Sequence, residues 1–307
     1  MTRLKRTAGH AAVGTAVLLV AVACTSPARL PAAHVASIPI NAIQPASGEN
    51  SIRVVSLNAA HSRSMGFHQA LQSGDKARLN LDAIVAVLER ENPDIVALQE
   101  VDGPSVWSGK FDHVEYIARN AGYSSTVRGT HMKSAGLDYG TALLSRQDLS
   151  DAVSVGFDGA ILAARKGFVI STLQWPGRLD TPVDIVSIHL DPLRAKVRAR
   201  QAKELIAVIE ERGRPVIVMG DFNDDWYDDD SAVRLLGEAL ELKPHDLRCE
   251  ECHTHRRMRD FVDWILVPSE IRIEDFEILS DDISDHYAVA ATLHLNDTGR
   301  ERGSAAH

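Results

Sequence analysis

The chain has 307 residues, 45% hydrophobic and 24% charged, with 20 glycines and 12 prolines scattered along it. This composition is ordinary for a globular protein and excludes collagenous, coiled-coil and wholly disordered chains. Asp and Glu number 42 against 33 for Lys and Arg, a formal net charge of −9, so we expect no broad cationic surface for nucleic acid or anionic lipid.

Residues 1–23 have the pattern of an export signal, with a basic start, an apolar run and small residues at the end. The apolar run, residues 11–23, is too short to span about 30 Å of hydrocarbon at roughly 1.5 Å per residue. Cys24 follows the small residue Ala23, which resembles a bacterial lipobox. We therefore expect an exported lipoprotein on the cell envelope, anchored to the membrane through a lipidated Cys24. The alternative is an ordinary cleaved signal peptide and a secreted protein.

The remainder of the chain divides into a linker, one domain and a tail. Residues 24–50 are rich in Ala, Pro and Ser without helical or strand periodicity, which indicates a surface tether. Residues 51–295 show no internal repeat and are predicted to form a single domain. Residues 296–307 are polar and predict a flexible tail.

Within the domain, short segments rich in Val and Ile alternate with amphipathic segments. The short segments predict strands at residues 52–57, 94–99, 168–174, 183–190, 215–219, 262–267 and 287–295. Apolar residues at helical spacing over residues 81–88 predict a helix that ends before Pro93. A second helix is predicted to begin at Asp191 as cap, with Pro192 in its first turn and residues 202–209 carrying its buried face. Mixed helical and direct connections predict mixed sheets covered by helices.

Polar side chains that a core excludes stand where the predicted strands end. They are Asn58, Gln99, Glu100, His189, Asp221, Asn223, Ser284, Asp285 and His286. In α/β folds the loops at strand ends bring separate segments into one site. Carboxylate and amide oxygens are hard ligands that suit Mg²⁺ or Mn²⁺ better than zinc. His189 and His286 could donate hydrogen bonds to a phosphoryl group or move protons near neutral pH.

Seven segments stand out in chain order, and five of them carry these polar residues. They are Leu57-Asn58, Leu98-Gln99-Glu100-Val101, Tyr139-Gly140-Thr141-Ala142-Leu143-Leu144-Ser145, Ser187-Ile188-His189-Leu190, Gly220-Asp221-Phe222-Asn223, Val262-Asp263-Trp264-Ile265 and Ser284-Asp285-His286. In this order they resemble the signature of the endonuclease/exonuclease/phosphatase superfamily. The resemblance implies a four-layer α/β sandwich, with two mixed β-sheets face to face and helices outside. It also implies metal-dependent hydrolysis of phosphoester bonds.

The same resemblance implies roles for nine residues. A Mg²⁺ or Mn²⁺ ion would be held by Asn58, Glu100 and Asp285. The residues acting on water or phosphate would be Tyr139, His189, Asp221, Asn223, Asp263 and His286. Asp221 would orient or deprotonate the attacking water, and His286, fixed by Asp263, would contact the scissile phosphate. Whether Asp221 or His286 takes the water proton stays open at this stage.

The substrate is predicted less directly. No Lys or Arg stands beside Asp221, His189 or His286 within the signature segments, and a monoester needs extra cations for its second charge. We therefore expect a phosphodiesterase or nuclease, a monomer acting on nucleic acid or a phospholipid head group. The alternatives are a sphingomyelinase-like or inositol-phosphate phosphatase activity, or a catalytically silent surface binding module. Candidate substrate contacts are Trp107, Lys110, Arg128, His131, Lys133, Arg165 and Lys166.

Two cysteines remain in the exported chain, Cys249 and Cys252. In an oxidising compartment they could close a short-loop disulfide. The alternative is a zinc site with His253 and His255, although the spacing matches no standard zinc motif.

Overall fold

The computed structural model describes residues 35–39, 50–64, 73–106, 108–134, 136–157, 165–245 and 252–296. The predicted signal peptide, Cys24, Trp107, Cys249 and nearly all of the predicted tail lie outside the described residues. No helix within these ranges is both long and apolar enough to cross a membrane.

Thirteen strands and four α-helices lie within the described ranges. The strands are β1 (Val35–Ser37), β2 (Ser51–Asn58), β3 (Ile95–Asp102), β4 (Ser125–Ser134), β5 (Leu137–Ser145), β6 (Leu149–Gly156), β7 (Gly167–Trp175), β8 (Arg178–His189), β9 (Val216–Asp221), β10 (Lys243–Pro244), β11 (Asp263–Val267), β12 (Ile271–Leu279) and β13 (Ala288–Leu295). The helices are α1 (Gly74–Glu91), α2 (His113–Ala121), α3 (Ala195–Arg212) and α4 (Ala232–Ala239).

The strands form two mixed sheets. The first sheet has the order β1-β4-β5-β3-β2-β13-β12, and the second has the order β10-β11-β9-β8-β7-β6. The β2/β3 pair and the β8/β9 pair are parallel, and their neighbours pair antiparallel. Each parallel pair is connected through a long helix, α1 or α3, as a parallel connection requires.

Three apolar clusters stack the elements into four layers. One cluster joins α1 and α2 to the outer face of the first sheet, and another joins α3 and α4 to the outer face of the second. The third fills the space between the sheets, with Val54, Ala97, Ile185 and Met219 among its members. The predicted four-layer sandwich is therefore confirmed.

Each of the seven strands predicted from Val and Ile content is present, but several others were not predicted. Most residues of β4 are polar, and β12 mixes apolar with charged residues at the edge of the first sheet, so both sequences carry a weaker strand signal. α1 ends as predicted, with Asn92 in the left-handed region (φ 48°) before Pro93.

The second predicted helix begins later than expected. α3 starts at Ala195 with Arg194 as its N-cap. Asp191 Oδ1 accepts the backbone N–H groups of Leu193 and Arg194, which closes a local turn before the helix, so Pro192 lies outside the first helical turn.

Part of the predicted linker pairs with the domain. β1 lies within residues 24–50 and forms the edge strand next to β4, with Val35 opposite Val127. The backbone N–H of Ile38 also donates to the Ser124 carbonyl at 2.8 Å. These contacts attach at least this part of residues 24–50 to the first sheet.

The inward face of the sandwich changes from apolar to polar along its strands. In β2, Ile52 and Val54 lie in the core between the sheets, and Ser56 and Asn58 follow on the same face. The same change leads to Gln99, Ser187, His189, Asp221 and Asp263 on the neighbouring strands. Because the central strands of each sheet are parallel, their polar ends collect at one edge of the sandwich.

A buried polar contact joins the two sheets beneath that edge. Ser187 Oγ on β8 donates to the Leu98 carbonyl at 2.9 Å and accepts from Gln99 Nε2 at 3.1 Å, both on β3. Burial makes an unpaired polar group costly, so this contact favours one alignment of the sheets over others.

We expect Ser187→Ala to lower the free energy of unfolding by about 2 kcal/mol, because it leaves the Gln99 amide without its nearest partner. Ser150→Ala, the same change at an exposed position on β6, serves as the control. Urea unfolding monitored by circular dichroism measures both. Equal losses in the two variants would contradict the stated role of Ser187.

Candidate active site

Asp221 lies at the centre of the site, at the end of β9. Its Oδ2 accepts a 2.8 Å hydrogen bond from Nδ2 of Asn58, which ends β2 in the other sheet. Gly220 precedes it with a φ of 150°, and a Cβ at that position would lie 2.0 Å from the Ile188 carbonyl oxygen. Only glycine fits there, so Gly220 permits the close approach of β8 that places Asp221 beside the residues of that strand.

His286 approaches Asp221 from the loop before β13. Its Nδ1 lies 2.9 Å from Oδ2 of Asp263, and its Nε2 lies 3.8 Å from Oδ2 of Asp221. Asp263 is fully buried, and its backbone N–H donates to Thr254 Oγ1 at 3.0 Å. Potential ligand atoms of Asp221, Asp263 and His286 all lie within 4.8 Å of one another, so an acidic and histidine cluster is present.

His189 faces Asp221 from the other side. Its Nε2 lies 3.2 Å from Asp221 Oδ2, and its Nδ1 lies 3.4 Å from the Lys166 ammonium group. An ammonium group donates only, so Lys166 favours the tautomer with the proton on Nε2, directed at Asp221. Burial and the Lys166 charge lower the pKa of His189, which keeps the ring neutral.

The charges of this group of residues set opposite protonation states. Burial raises the pKa of Asp221, but His189 and His286 outweigh burial and hold it well below its ordinary value. Burial lowers the pKa of His286, but Asp263 and Asp221 outweigh that and raise it to about 10. At neutral pH the site therefore pairs an ionised Asp221 with a protonated His286.

Glu100 lies on a β-bulge of β3, where the pairing with β5 shifts between Leu98 and Val101. Its backbone has a φ of 50°, which redirects its side chain relative to the regular strand. Oε1 accepts from Lys166 at 2.9 Å. Burial raises the pKa of Glu100, but Lys166 and His61 outweigh it, so the pKa lies well below its ordinary value.

The structure brings the carboxylates of two predicted metal ligands, Glu100 and Asp285, to the same guanidinium group. The Arg63 guanidinium lies 2.5 Å from Oδ2 of Asp285 and 3.9 Å from Oε2 of Glu100, so both carboxylates converge on one cation. Asn58 Oδ1 accepts the backbone N–H of Ala60 at 3.0 Å. Two carboxylates and an amide oxygen fit a divalent cation, which would compete with Arg63 for the carboxylates.

The remaining predicted site residues lie nearby. Asn223 Nδ2 donates to the Leu190 carbonyl at 3.0 Å, which holds its side chain beside the end of β8. Tyr139 is nearly buried, and burial together with Glu100 raises its pKa. A small cavity is lined by Glu100, His131, Tyr139, Gly140, Thr141, Arg165, Lys166 and His189.

The sequence argument against monoester substrates was that no Lys or Arg stands beside the site residues. The folded structure does not support that argument. Lys166 contacts both Glu100 and His189, and Arg63 contacts Asp285, so two cations adjoin the predicted site. Lys166 stands far from the signature residues in sequence, and Arg63 follows Asn58 by five residues in a loop. Their proximity to the site depends on tertiary structure.

Some other candidate contacts have different partners. Arg128 Nη1 donates to Asp138 at 2.7 Å, and His131 Nε2 lies 2.9 Å from Thr141 Oγ1. Burial lowers the pKa of His131 to about 3, so this ring is neutral. Lys110 and Lys133 are exposed.

Sequence reasoning missed His61 and Asp102, which form a second buried pair with His61 Nδ1 2.7 Å from Asp102 Oδ1. Both stand within three residues of a predicted ligand, Asn58 or Glu100, which is the signal that could have identified them. It also missed His255 as a neighbour of the site, where its ring meets that of His286 edge-on at 4.8 Å.

The zinc alternative at the cysteine pair is wrong for Cys252. Cys252 is disulfide-bonded, and a disulfide sulfur offers no thiolate to a metal. His255 Nδ1 accepts the backbone N–H of Met258 at 3.0 Å, so this ring nitrogen has a partner within its own loop.

Comparisons with known proteins agree with this architecture. No curated protein matches the chain at a significant level. Among solved structures, an endonuclease/exonuclease/phosphatase from Beutenbergia cavernae is 20% identical, with a TM-score of 0.62, over 80% of this chain and 72% of that chain. The catalytic domain of human Nocturnin with bound sulfate is 19% identical, with a TM-score of 0.63, over 88% of this chain and 100% of that chain. Sphingomyelinase C from Streptomyces griseocarneus is 17% identical, with a TM-score of 0.57, over 79% of this chain and 99% of that chain.

At these identities the solved structures establish a shared fold. The family model described as "Endonuclease/Exonuclease/phosphatase family" matches residues 55–286, most of the chain. That match begins before Asn58 and ends at His286, and so contains every predicted site residue. The chain belongs to the endonuclease/exonuclease/phosphatase family.

Proposed function

We propose that this protein hydrolyses phosphoester bonds with the help of a divalent ion, Mg²⁺ or Mn²⁺. The observation that carries the proposal is the ionised Asp221 carboxylate, with His189 Nε2 at 3.2 Å and His286 Nε2 at 3.8 Å from the same oxygen. A hydrogen-bond acceptor for water thus stands beside two donors that can address a phosphate.

The protonation states of Asp221, His286 and His189 assign each of them a different role. Asp221 is ionised and accepts a hydrogen bond from the attacking water, which orients it and draws off its proton. His286 is already protonated, so it donates to the phosphate and stabilises the charge that develops there. His189, neutral with its proton on Nε2, supplies a second donor. This assignment favours Asp221 over His286 as the group that takes the water proton.

Glu100, Asp285 and the Asn58 amide oxygen are the residues that would hold the ion. When bound, the ion would act as a Lewis acid on the phosphoryl oxygen and the leaving group.

We propose a phosphodiester substrate, in nucleic acid or a phospholipid head group. Lys166 and Arg63 are each paired with a carboxylate, which leaves little uncompensated positive charge for the second charge of a monoester. Phosphomonoester hydrolysis is the second candidate, because these same two cations adjoin the site. A catalytically silent binding module is disfavoured, since it has no chemical need for the opposed protonation states of Asp221 and His286.

We expect the mature protein to hydrolyse bis-p-nitrophenyl phosphate with Mg²⁺ or Mn²⁺ and to lose activity in EDTA. Glu100→Gln should lower kcat on the order of 100-fold, because it removes an anionic ligand while keeping the shape. Glu89→Gln, the same change at an exposed position on α1, is the control. Initial rates on DNA, RNA, sphingomyelin, p-nitrophenyl phosphate and inositol phosphates measure the substrate class.

Two results would contradict the proposal in different ways. Full activity in a rigorously metal-free preparation would overturn the metal dependence. Monoesters hydrolysed at least as well as any diester would overturn the diester preference and leave the metal-dependent site standing.

Asp263→Asn tests the pairing with His286. Without the carboxylate the pKa of His286 should fall from about 10 toward its ordinary value, since Asp263 is the largest influence raising it. Because the donor must be protonated, activity should decline at a lower pH than in the unmodified protein. We expect kcat to fall between about 100- and 10,000-fold.

Two-dimensional NMR of labelled imidazoles measures the pKa, and pH profiles of kcat measure its consequence. Asp260→Asn, an exposed position three residues away, is the control. An unchanged pH profile in folded Asp263→Asn would show that the pairing does not matter to turnover.

We also propose export and membrane anchoring through Cys24, supported by the basic start, apolar run and small residues of the sequence before it. Expression of the full chain in a bacterial host should give a mature protein that begins at diacylglyceryl Cys24 and sediments with membranes. Cys24→Ser should release or misprocess it. An intact N-terminus or cleavage elsewhere, detected by mass spectrometry, would refute anchoring.

A further inference from the structure

The site contains a second aspartate and histidine pair, on the side of Glu100 and separate from Asp263 and His286. His61 Nδ1 lies 2.7 Å from Asp102 Oδ1, and His61 Nε2 lies 3.5 Å from Oε2 of Glu100. The side chain of His61 is only 9% exposed. The ring is therefore oriented by Asp102 at one nitrogen and directed at a predicted metal ligand by the other.

The backbone that presents His61 is unusual. Ala60, His61 and Ser62 have φ values of 47°, 52° and 57°, a region that residues other than glycine rarely adopt. Hydrogen bonds hold the turn on both sides, from the Ala60 N–H to Asn58 Oδ1 and from Asn80 Nδ2 to the Ser62 carbonyl. Strain of this kind persists where surrounding contacts over-determine it, and it concentrates at functional sites.

The imidazole ring of His61 has a third contact, with Tyr139. The Tyr139 ring meets it edge-on, with 5.0 Å between ring centroids. Asp102 is almost fully buried. Three contacts thus fix the direction of Nε2, which is the preorganisation that a ligand or a catalytic group requires.

The arrangement of Asp102, His61 and Glu100 is that of a histidine ligand with its supporting carboxylate. Histidine ligands commonly donate one ring N–H to a carboxylate and bind the metal through the other nitrogen. Donor atoms that share one ion lie about 2.0–2.2 Å from it, which places them roughly 3–3.5 Å apart. The distance of 3.5 Å from His61 Nε2 to Glu100 Oε2 meets that requirement. Any proton on Nε2 would be released as the metal binds.

We propose that His61 Nε2 binds the same divalent ion as Glu100, with Asp102 as the positioning residue. The inference rests on the proposed metal-dependent function. A nitrogen donor changes the donor set from oxygen alone to nitrogen and oxygen, which favours Mn²⁺ over Mg²⁺. The site would therefore select Mn²⁺ more strongly than the predicted ligands Asn58, Glu100 and Asp285 would do alone.

Mn²⁺ binding to the mature protein tests this without reference to activity. Electron spin-echo envelope modulation of bound Mn²⁺ should show a directly coordinated ¹⁴N, and titration by electron paramagnetic resonance should give the affinity. His61→Asn should remove that coupling and weaken Mn²⁺ binding about 10-fold or more, with a smaller effect on Mg²⁺ measured by competition. Asn is suitable because it tolerates the left-handed backbone at this position.

Two further variants make the assignment specific. Asp102→Asn keeps His61 and should weaken Mn²⁺ binding about 10-fold by loosening the ring. His189→Asn should leave the nitrogen coupling intact, because His189 addresses Asp221 and Lys166 and makes no contact with Oε2 of Glu100 that the described residues record. If His61→Asn does not fold, the wild-type spectrum together with Asp102→Asn and His189→Asn decides the question.

The outcomes separate the two proposals. An oxygen-only Mn²⁺ spectrum, the absence of Mn²⁺ binding, or a coupling that depends on His189 would overturn the assignment of His61. Turnover measured on the same preparations tests the proposed function independently. Metal-dependent hydrolysis with an oxygen-only spectrum would leave the function standing and remove His61 from the metal site. No turnover on any phosphoester would overturn the function.

Discussion

The hydrogen bond between Asn58 and Asp221 joins the ends of strands in two different sheets, 163 residues apart in sequence. It forms because the sheets pack face to face, with apolar residues below and polar residues at one edge. The Ser187 contact with β3 holds the same alignment of the two sheets, closer to the apolar core. Every other feature of the site depends on this alignment, since it places His189 and Asp221 of one sheet opposite Asn58 and Glu100 of the other.

Burial of several carboxylates at this edge requires compensating charge. An unpaired buried carboxylate is costly, and each one here has a cationic or hydrogen-bonding partner. Lys166 pairs with Glu100, Arg63 pairs with Asp285, and His286 pairs with both Asp221 and Asp263. These pairs also set the protonation states of the site, because they hold Asp221 ionised and His286 protonated at the same pH. The same charges that allow burial thus assign the acceptor and the donor.

Much of the fold follows from local sequence pattern. Seven strands and the C-terminal part of α1 are visible as runs of Val and Ile or as a helical stripe, because buried central strands and amphipathic helices carry strong periodicity. β4 and β12 carry weaker patterns, since most residues of β4 are polar and three charged residues of β12 are exposed to solvent. The prediction of Asp191 as a helix cap was wrong because an aspartate carboxylate can close a turn as well as start a helix. The pairing of β1 with β4 depends on a partner strand about 90 residues away.

For the site, the sequence by itself determined the family and the candidate acidic, amide and histidine residues, because these stand in ordered segments at strand ends. Tertiary structure alone decided which charges adjoin them. The sequence offers Lys166 only as one of seven candidate substrate contacts and does not single out Arg63, and their contact with Glu100 and Asp285 exists only once the sheets have closed. His61 is likewise an ordinary loop histidine in the sequence. Its orientation arises from a left-handed turn and from Asp102 on a neighbouring strand, and neither local spacing nor composition encodes a contact between groups that folding brings together.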